Sequence, residues 1–243
     1  MSNKTIILIT GANQGLGYEC AKKLAREQPD YSILLGARSI SKGTTAAESI
    51  TERAPNTTVQ PLELDITSDS SIAAAVEEVS SKYGRLDILF NNAGIARAGL
   101  ESPRDEWAAI LSTNVISQFM VTEAFVPLLK KSAFPKLVFM SSGLGSITDT
   151  LDPKFPYYSF PQNPYVVSKA AFNMLAAKYS VVFKEAGFKV NIICPGHRAT
   201  NLNGYQKVAG KPEGGAIEAC RIITQGRDGQ YSTFSNEHGL LPW

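Results

Sequence analysis

Short runs of β-branched, aliphatic and aromatic residues alternate along this chain with longer segments of helical period, and that alternation narrows the fold more than any other feature. The runs fall at residues 4–10, 32–37, 58–64, 86–91, 136–141 and 190–194, with a seventh candidate at 231–235. Between them, helical spacing of apolar residues covers 15–28, 41–53, 69–83, 104–131, 164–186 and 213–224. Most of the runs are apolar nearly throughout, as strands buried on both faces of a parallel sheet must be. Right-handed crossovers between such strands give an α/β Rossmann fold: a doubly wound parallel sheet of six to seven strands with helices on both faces. No repeat, low-complexity tract or linker divides the chain, so residues 1–243 are expected to form one domain. Two stretches do not fit the scheme, 145–164 with its prolines and aromatics and 200–215 with its glycines and asparagines.

The first run leads directly into Thr10-Gly11-Ala12-Asn13-Gln14-Gly15-Leu16-Gly17, and a helical pattern starts inside that turn. Glycines let backbone N–H groups and a helix N-terminus approach a pyrophosphate, where the helix dipole favours negative charge. Glycine corners also occur where nothing binds. This one follows the first strand of an alternating chain, and that position makes it a nucleotide-binding expectation. Its Gly-x-x-x-Gly-x-Gly spacing differs from the standard dinucleotide fingerprint. At the end of the second run stand Gly36-Ala37-Arg38-Ser39. Ala37 takes the place of an acidic residue that would hold ribose hydroxyls, and Arg38 offers a planar fork suited to a 2′-phosphate, so the cofactor expected is NADP(H). A solvated arginine without a role is the plainer reading of Arg38.

A formal charge of +2 from 24 basic and 22 acidic residues, with no basic run, gives no reason to expect nucleic acid or a membrane as partner. Cys20, Cys194 and Cys220 are odd in number, far apart and without histidines at ligand spacing, which suggests a reducing, cytoplasmic setting and no metal. The apolar run near the N-terminus is too short for a signal-peptide core or a membrane span.

The glycine turn, Asn91-Asn92-Ala93-Gly94, Asn114, Ser141-Ser142, Tyr165-Val166-Val167-Ser168-Lys169 and Pro195-Gly196 with Thr200 follow one another in an order that resembles the short-chain dehydrogenase/reductase family. The resemblance spans about residues 4–235, and Gly-Ala-Arg-Ser and the closing Leu-Pro-Trp look most like its carbonyl reductase group. It implies that Gly11, Asn13, Gln14, Gly15, Leu16 and Gly17 hold the cofactor phosphates, with Arg38 and Ser39 at the adenosine end. It further implies that Asp65 and Ile66 border the adenine, Asn91, Ala93 and Gly94 the adjoining ribose, and Pro195, Gly196, Arg198 and Thr200 the nicotinamide side. Asp65 reads equally as a helix cap.

Hydride transfer to a carbonyl builds charge on oxygen, so the site needs a hydrogen-bond donor there and an acid. Lys169 lies four residues after Tyr165, on the same helical face, where its ammonium can lower the phenol pKa. Tyr18 and Lys22 have the same spacing but sit in the helix after the phosphate turn. Position at the strands' carboxyl ends selects Tyr165 as proton donor. By resemblance, Ser142 orients the carbonyl, with Ser141 as fallback, and Asn114 holds a water that relays protons to Lys169.

His197 and Arg198 stand where the family more often carries apolar residues, so a polar group is expected near the pocket unless the loop is merely solvated. The stretch 147–161 joins Ser142 to Tyr165, and Tyr157, Tyr158 and Phe160 in it are expected to line or lid a substrate pocket for a bulky carbonyl, the alternative being packing on outer helices or at a subunit contact. The activity expected is reversible NADPH-dependent reduction of a small-molecule ketone or aldehyde. Epimerase, dehydratase or imine/enone reductase chemistry and a non-catalytic dinucleotide-binding regulator are the alternatives. Homo-oligomer or monomer stays open.

Overall fold

The apolar runs become strands of one sheet because their alternate residues face opposite sides and both sides are covered by helices. The computed structural model describes residues 4–243, and residues 1–3 of the single-domain span lie outside the described residues. Strands β1 (Thr5–Ile9), β2 (Tyr31–Ala37), β3 (Thr58–Glu63), β4 (Ile88–Asn91), β5 (Lys136–Met140), β6 (Lys189–Ile193) and β7 (Phe234–Asn236) run parallel in the order β3-β2-β1-β4-β5-β6-β7. An eighth, β8 (Gly239–Leu240), pairs antiparallel with β7 at the edge.

Helices α1 (Gly15–Glu27), α2 (Ile40–Ser49) and α8 (Ala216–Thr224) cover one face, where Ile7, Ile9, Ile33, Leu35, Phe90 and Val138 form the core. Helices α3 (Asp69–Tyr83), α5 (Ser117–Leu129) and α7 (Asn163–Val182) cover the other, over Leu8, Leu34, Leu89, Leu137 and Phe139. The parity switch between Ile7 and Leu8 is the two-residue strand period at work. Phe90, Phe125 and Phe139 are fully buried, each ring contributing about 1.5–3 kcal/mol. Ser39, Ser68 and Ser102 cap α2, α3 and α4 (Pro103–Leu111) by accepting from the amide three residues on, and Gly84 ends α3 in the left-handed region at φ 72°.

Several boundaries depart from the sequence pattern: α7 ends at Val182 rather than 186, α8 starts at Ala216 rather than 213, and three others have a visible local cause. The helix expected over 104–131 is split by a π-helical turn, Ser112–Ile116, which puts Asn114 at a bulge between α4 and α5. The second helix stops at Ser49, because the Arg53 side chain returns to cap the carbonyls of Ile50 and Ala47. The seventh strand starts at Phe234 rather than 231, after Tyr231 has turned its hydroxyl to the Ser180 carbonyl. The proline-rich stretch forms only the short α6 (Ile147–Thr150) and turns, as its four prolines require. Strand order reverses at β1, whose neighbours are β2 and β4, and this opens a crevice at the strands' carboxyl ends.

Candidate active site

The crevice is built first from Thr10 at the end of β1. Its hydroxyl accepts from the backbone amides of Asn92 at 2.9 Å and Ala93 at 3.0 Å, so the turn after β4 is fixed against the turn after β1. Asn92 returns the contact by donating from Nδ2 to the Thr10 carbonyl at 2.8 Å. Gly11 and Gly15 have φ of 63° and 60°. A Cβ on Gly11 would fall 2.9 Å from the Ala93 Cβ, and one on Gly17 would fall 2.5 Å from Asn92 Nδ2. The cradle therefore admits only glycine there. No acidic side chain occupies the first turn of α1, and Gln14 at its start makes no side-chain cap. The positive end of the helix is left for an anion, so the turn fits a pyrophosphate. Asn13 and Leu16 line the same turn, half-buried, with Gln14 exposed.

At the end of β2, Ala37 is buried and Arg38 exposed. Among the described residues the Arg38 guanidinium makes no hydrogen bond or ion pair, and it draws down the Asp65 carboxyl through space as the least of several contributions. Asp65 Oδ1 accepts from the Thr67 hydroxyl at 2.7 Å and its amide at 2.9 Å, which holds the carboxyl below its ordinary range. It makes a local turn and does not cap α3, a position filled by Ser68. Ser39 caps α2, and the Ile66 side chain is in the core. Asn91 turns away from the crevice: its Nδ2 donates to Thr122 at 2.9 Å, and its Oδ1 is buried without a partner. Ala93 lies against Gly11 of the phosphate turn, and Gly94 against Asn114. A Cβ on Gly94 would lie 3.1 Å from Asn114 Oδ1 and 3.8 Å from Lys169 Nζ.

The candidate catalytic side chains meet across β5, α7 and β6. Gly145 lets the loop after β5 rest on the Lys169 backbone, whose carbonyl carbon a Cβ would approach to 2.7 Å. Ser142 caps the short turn Gly143–Gly145 and stands beside the Tyr165 hydroxyl, which it shifts downward. Ser141 is committed elsewhere, donating to Asn173 Oδ1 in the core, so the fallback role for it is unsupported. Tyr165 and Lys169 lie on one face of α7, with Nζ 5.8 Å from the phenol centroid and donating to the Met140 carbonyl at 2.9 Å. The net shift of the phenol is upward, opposite to the direction the spacing suggested. Burial pushes Tyr165 well above its ordinary value, with Cys194 adding to the rise and Ser142 opposing it. Burial likewise draws Lys169 down to about 8.

Asn114 is 1% exposed, and its amide is fully occupied. Oδ1 accepts from the Ile95 amide at 2.8 Å, and Nδ2 donates to the Ile95 carbonyl at 2.8 Å and to Ser168 Oγ at 2.9 Å. Its side chain thus positions, and any water it serves would have to meet the backbone of the π turn. Sequence reasoning passed over Ser168 and Cys194. Ser168 is three residues after Tyr165, a spacing that could have revealed it, and it also donates to the Tyr165 carbonyl at 2.7 Å. Cys194 follows β6, with Sγ accepting from the Gly143 amide at 3.1 Å, a contact no spacing announces.

Just after Pro195 and Gly196, the ring of His197 stands perpendicular to that of Tyr157 with centroids 6.2 Å apart, and Tyr157 also touches Phe155 and Phe160 edge-on. Tyr158 points out, 52% exposed, without a ring partner. His197 Nε2 pairs with Gln206 Oε1 at 3.1 Å. With the Gln162 amide turned so that its oxygen faces Arg97, it accepts from Nη2 at 2.7 Å and Nε at 3.0 Å, bridging the loop after β4 to the start of α7. Thr200 is buried, its Cβ 3.8 Å from where a Cβ on Gly15 would be. Pro195 and Gly196 form the turn after β6. The Arg198 side chain, expected at the cofactor, is held instead by the Pro195 carbonyl and Glu237.

Residues 5–209 match the family model described as short chain dehydrogenase. A short-chain dehydrogenase/reductase, eupG, of a Phoma species is 36% identical over 99% of this chain and 98% of its own length. (+)-Neomenthol dehydrogenase of Arabidopsis thaliana is 28% identical over 85% of this chain and 87% of its own. Among solved structures, the NADPH-bound carbonyl reductase from chicken fatty liver superposes with a TM-score of 0.81 at 25% identity, covering 99% of both chains.

Proposed function

This chain belongs to the short-chain dehydrogenase/reductase family, an oxidoreductase family that uses a nicotinamide dinucleotide, and from that membership we propose that it reduces a bulky ketone or aldehyde with NADPH. The observation that carries the proposal is the meeting of Ser142, Tyr165 and Lys169 beside Gly94 at the carboxyl ends of the strands. The bound nicotinamide would supply the hydride. The protein's part is to place the carbonyl oxygen between two hydroxyls. Ser142 donates a hydrogen bond to it, and Tyr165 delivers the proton as charge develops there. Burial keeps the phenol protonated but makes it a weaker acid than a free tyrosine, so proton delivery depends on stabilising the phenolate as it forms. Lys169, charged below about pH 8, stabilises the phenolate left behind, and can do so only if its ammonium serves the phenol as well as Met140.

NADPH rather than NADH is favoured by Ala37 and the exposed Arg38, which makes no hydrogen bond among the described residues, and by the NADPH carried by the chicken liver enzyme. The ring cluster of Tyr157, Phe155, Phe160 and His197 favours an aromatic or otherwise bulky apolar substrate. Loss of NADPH absorbance with a panel of carbonyls tests the reading. Turnover with aromatic ketones supports it, and NADPH binding without turnover of any carbonyl would favour a regulator.

A further inference from the structure

Residues 196–215 lie over the phosphate turn rather than beside it. A Cβ on Gly15 would come within 3.1 Å of Asn201 Oδ1, and one on Gly215 within 2.5 Å of the Leu16 side chain. A dinucleotide seated on that turn would therefore border this segment. The segment has little apolar burial of its own to hold it there: Tyr205 is 63% exposed and Val208 87%. Internally it is closed by Ala199 N to Gly210 O at 2.8 Å and Gly210 N to His197 O at 3.0 Å. Such segments open at low free-energy cost unless something outside ties them down.

Beside the contact of His197 with Tyr157, the Arg198 side chain makes such a tie. The Arg198 guanidinium passes close over two glycines, since a Cβ on Gly210 would fall 2.8 Å from its Nη1 and one on Gly214 2.6 Å from the same atom. Its Nε donates to the Pro195 carbonyl at 2.7 Å, and its Nη2 pairs with Glu237 in the turn between β7 and β8. The two side chains are 16% and 27% exposed, so the pair is largely shielded from water. Asn203 closes the arrangement by donating to the Arg198 carbonyl at 2.9 Å. The arginine thus joins both limbs of the segment to the edge of the sheet.

We propose that Arg198 is a positioning residue that latches residues 196–215 over the cofactor turn through Glu237, and so sets how fast the dinucleotide leaves. The latch rests on the dinucleotide-binding reading above, but its mechanical half stands on contacts within the protein. Glu237 touches neither the glycine turn nor the candidate catalytic set, which makes Glu237→Gln the variant of choice, since it keeps the shape and removes the charge.

Two measurements on the full chain decide it. Hydrogen exchange without added cofactor should speed up across 196–215 in Glu237→Gln while β5 and β6 exchange as in the wild type. Stopped-flow displacement of bound NADPH should show dissociation faster by about tenfold, with single-turnover hydride transfer unchanged, because a lost shielded charge pair acts mainly on the off-rate. Arg198→Lys, which keeps the charge but not the fork, should fall between the wild type and Glu237→Gln. Unchanged exchange in 196–215 overturns the latch. Faster exchange with unchanged NADPH release overturns its link to the cofactor. Should the wild type bind no NADPH, the proposed function and the cofactor half of the latch fall together, and the exchange comparison alone decides whether Arg198 and Glu237 hold the segment.

Discussion

Asn114 grips both backbone groups of Ile95, at 2.8 Å each, and so fastens the π turn to the loop that follows β4. Its remaining amide hydrogen reaches Ser168, which in turn holds the Tyr165 carbonyl. Asn114→Leu keeps the volume but leaves the amide and carbonyl of the half-buried Ile95, and Ser168 Oγ in the interior, without these partners. A loss of roughly 2–5 kcal/mol in urea unfolding is expected, from two or more stranded groups. Asn114→Asp, which retains the acceptor for the Ile95 amide, should lose less.

The two adjacent serines should separate cleanly. Ser142→Ala is expected to fold normally and lose roughly 10²-fold in turnover, the usual worth of a donor to a developing oxyanion. Ser141→Ala strands Asn173 and should lower the melting temperature while leaving turnover within a few-fold of wild type. Steady-state kinetics beside thermal unfolding of both variants checks this.

Lys169, drawn down to about 8 by burial, gives the reaction a pH dependence of known sign. Below about 8 the ammonium is charged and supports the departing proton of Tyr165. Above it the charge is lost, so kcat/KM for reduction should be flat to about pH 8 and then fall as the pH rises. In Lys169→Met the break should vanish. Stability follows the same titration: the unfolded chain keeps the proton up to about 10.4, so the stability of the wild type relative to Lys169→Met should rise between about 8 and 10.4.

Arg38→Ala tests cofactor choice. A charge-assisted contact to a 2′-phosphate is worth about 1.5–3 kcal/mol, so KM for NADPH should rise roughly 10- to 100-fold while KM for NADH barely moves. A wild type that uses both cofactors equally would remove Arg38 from this role.

Much of the fold was legible because strand and helix periods are local properties: the six main strands and the parallel order follow from alternating apolar runs and a crossover rule. The glycine cradle and the face shared by Tyr165 and Lys169 were legible for the same reason, being spacings within one turn or one helix. What the sequence hid depends on partners far apart in the chain. The hold of Thr122 on the Asn91 amide and of Asn173 on the Ser141 hydroxyl joins residues 31 and 32 positions apart. The π bulge at Asn114 and the pairing of Arg198 with Glu237, 39 residues on, leave no periodic trace. The upward shift of Tyr165 was missed because charge spacing was visible and depth of burial was not.

The central claim is that Tyr165 gives the proton in NADPH-dependent carbonyl reduction, and a comparison of NADPH consumption by wild type and Tyr165→Phe with an aromatic ketone tests it most directly. The ring and the helix survive in that variant, so NADPH affinity should be retained while turnover falls by ~10²-fold or more, the usual worth of a positioned general acid. Turnover near the wild-type rate with NADPH still bound would contradict the account.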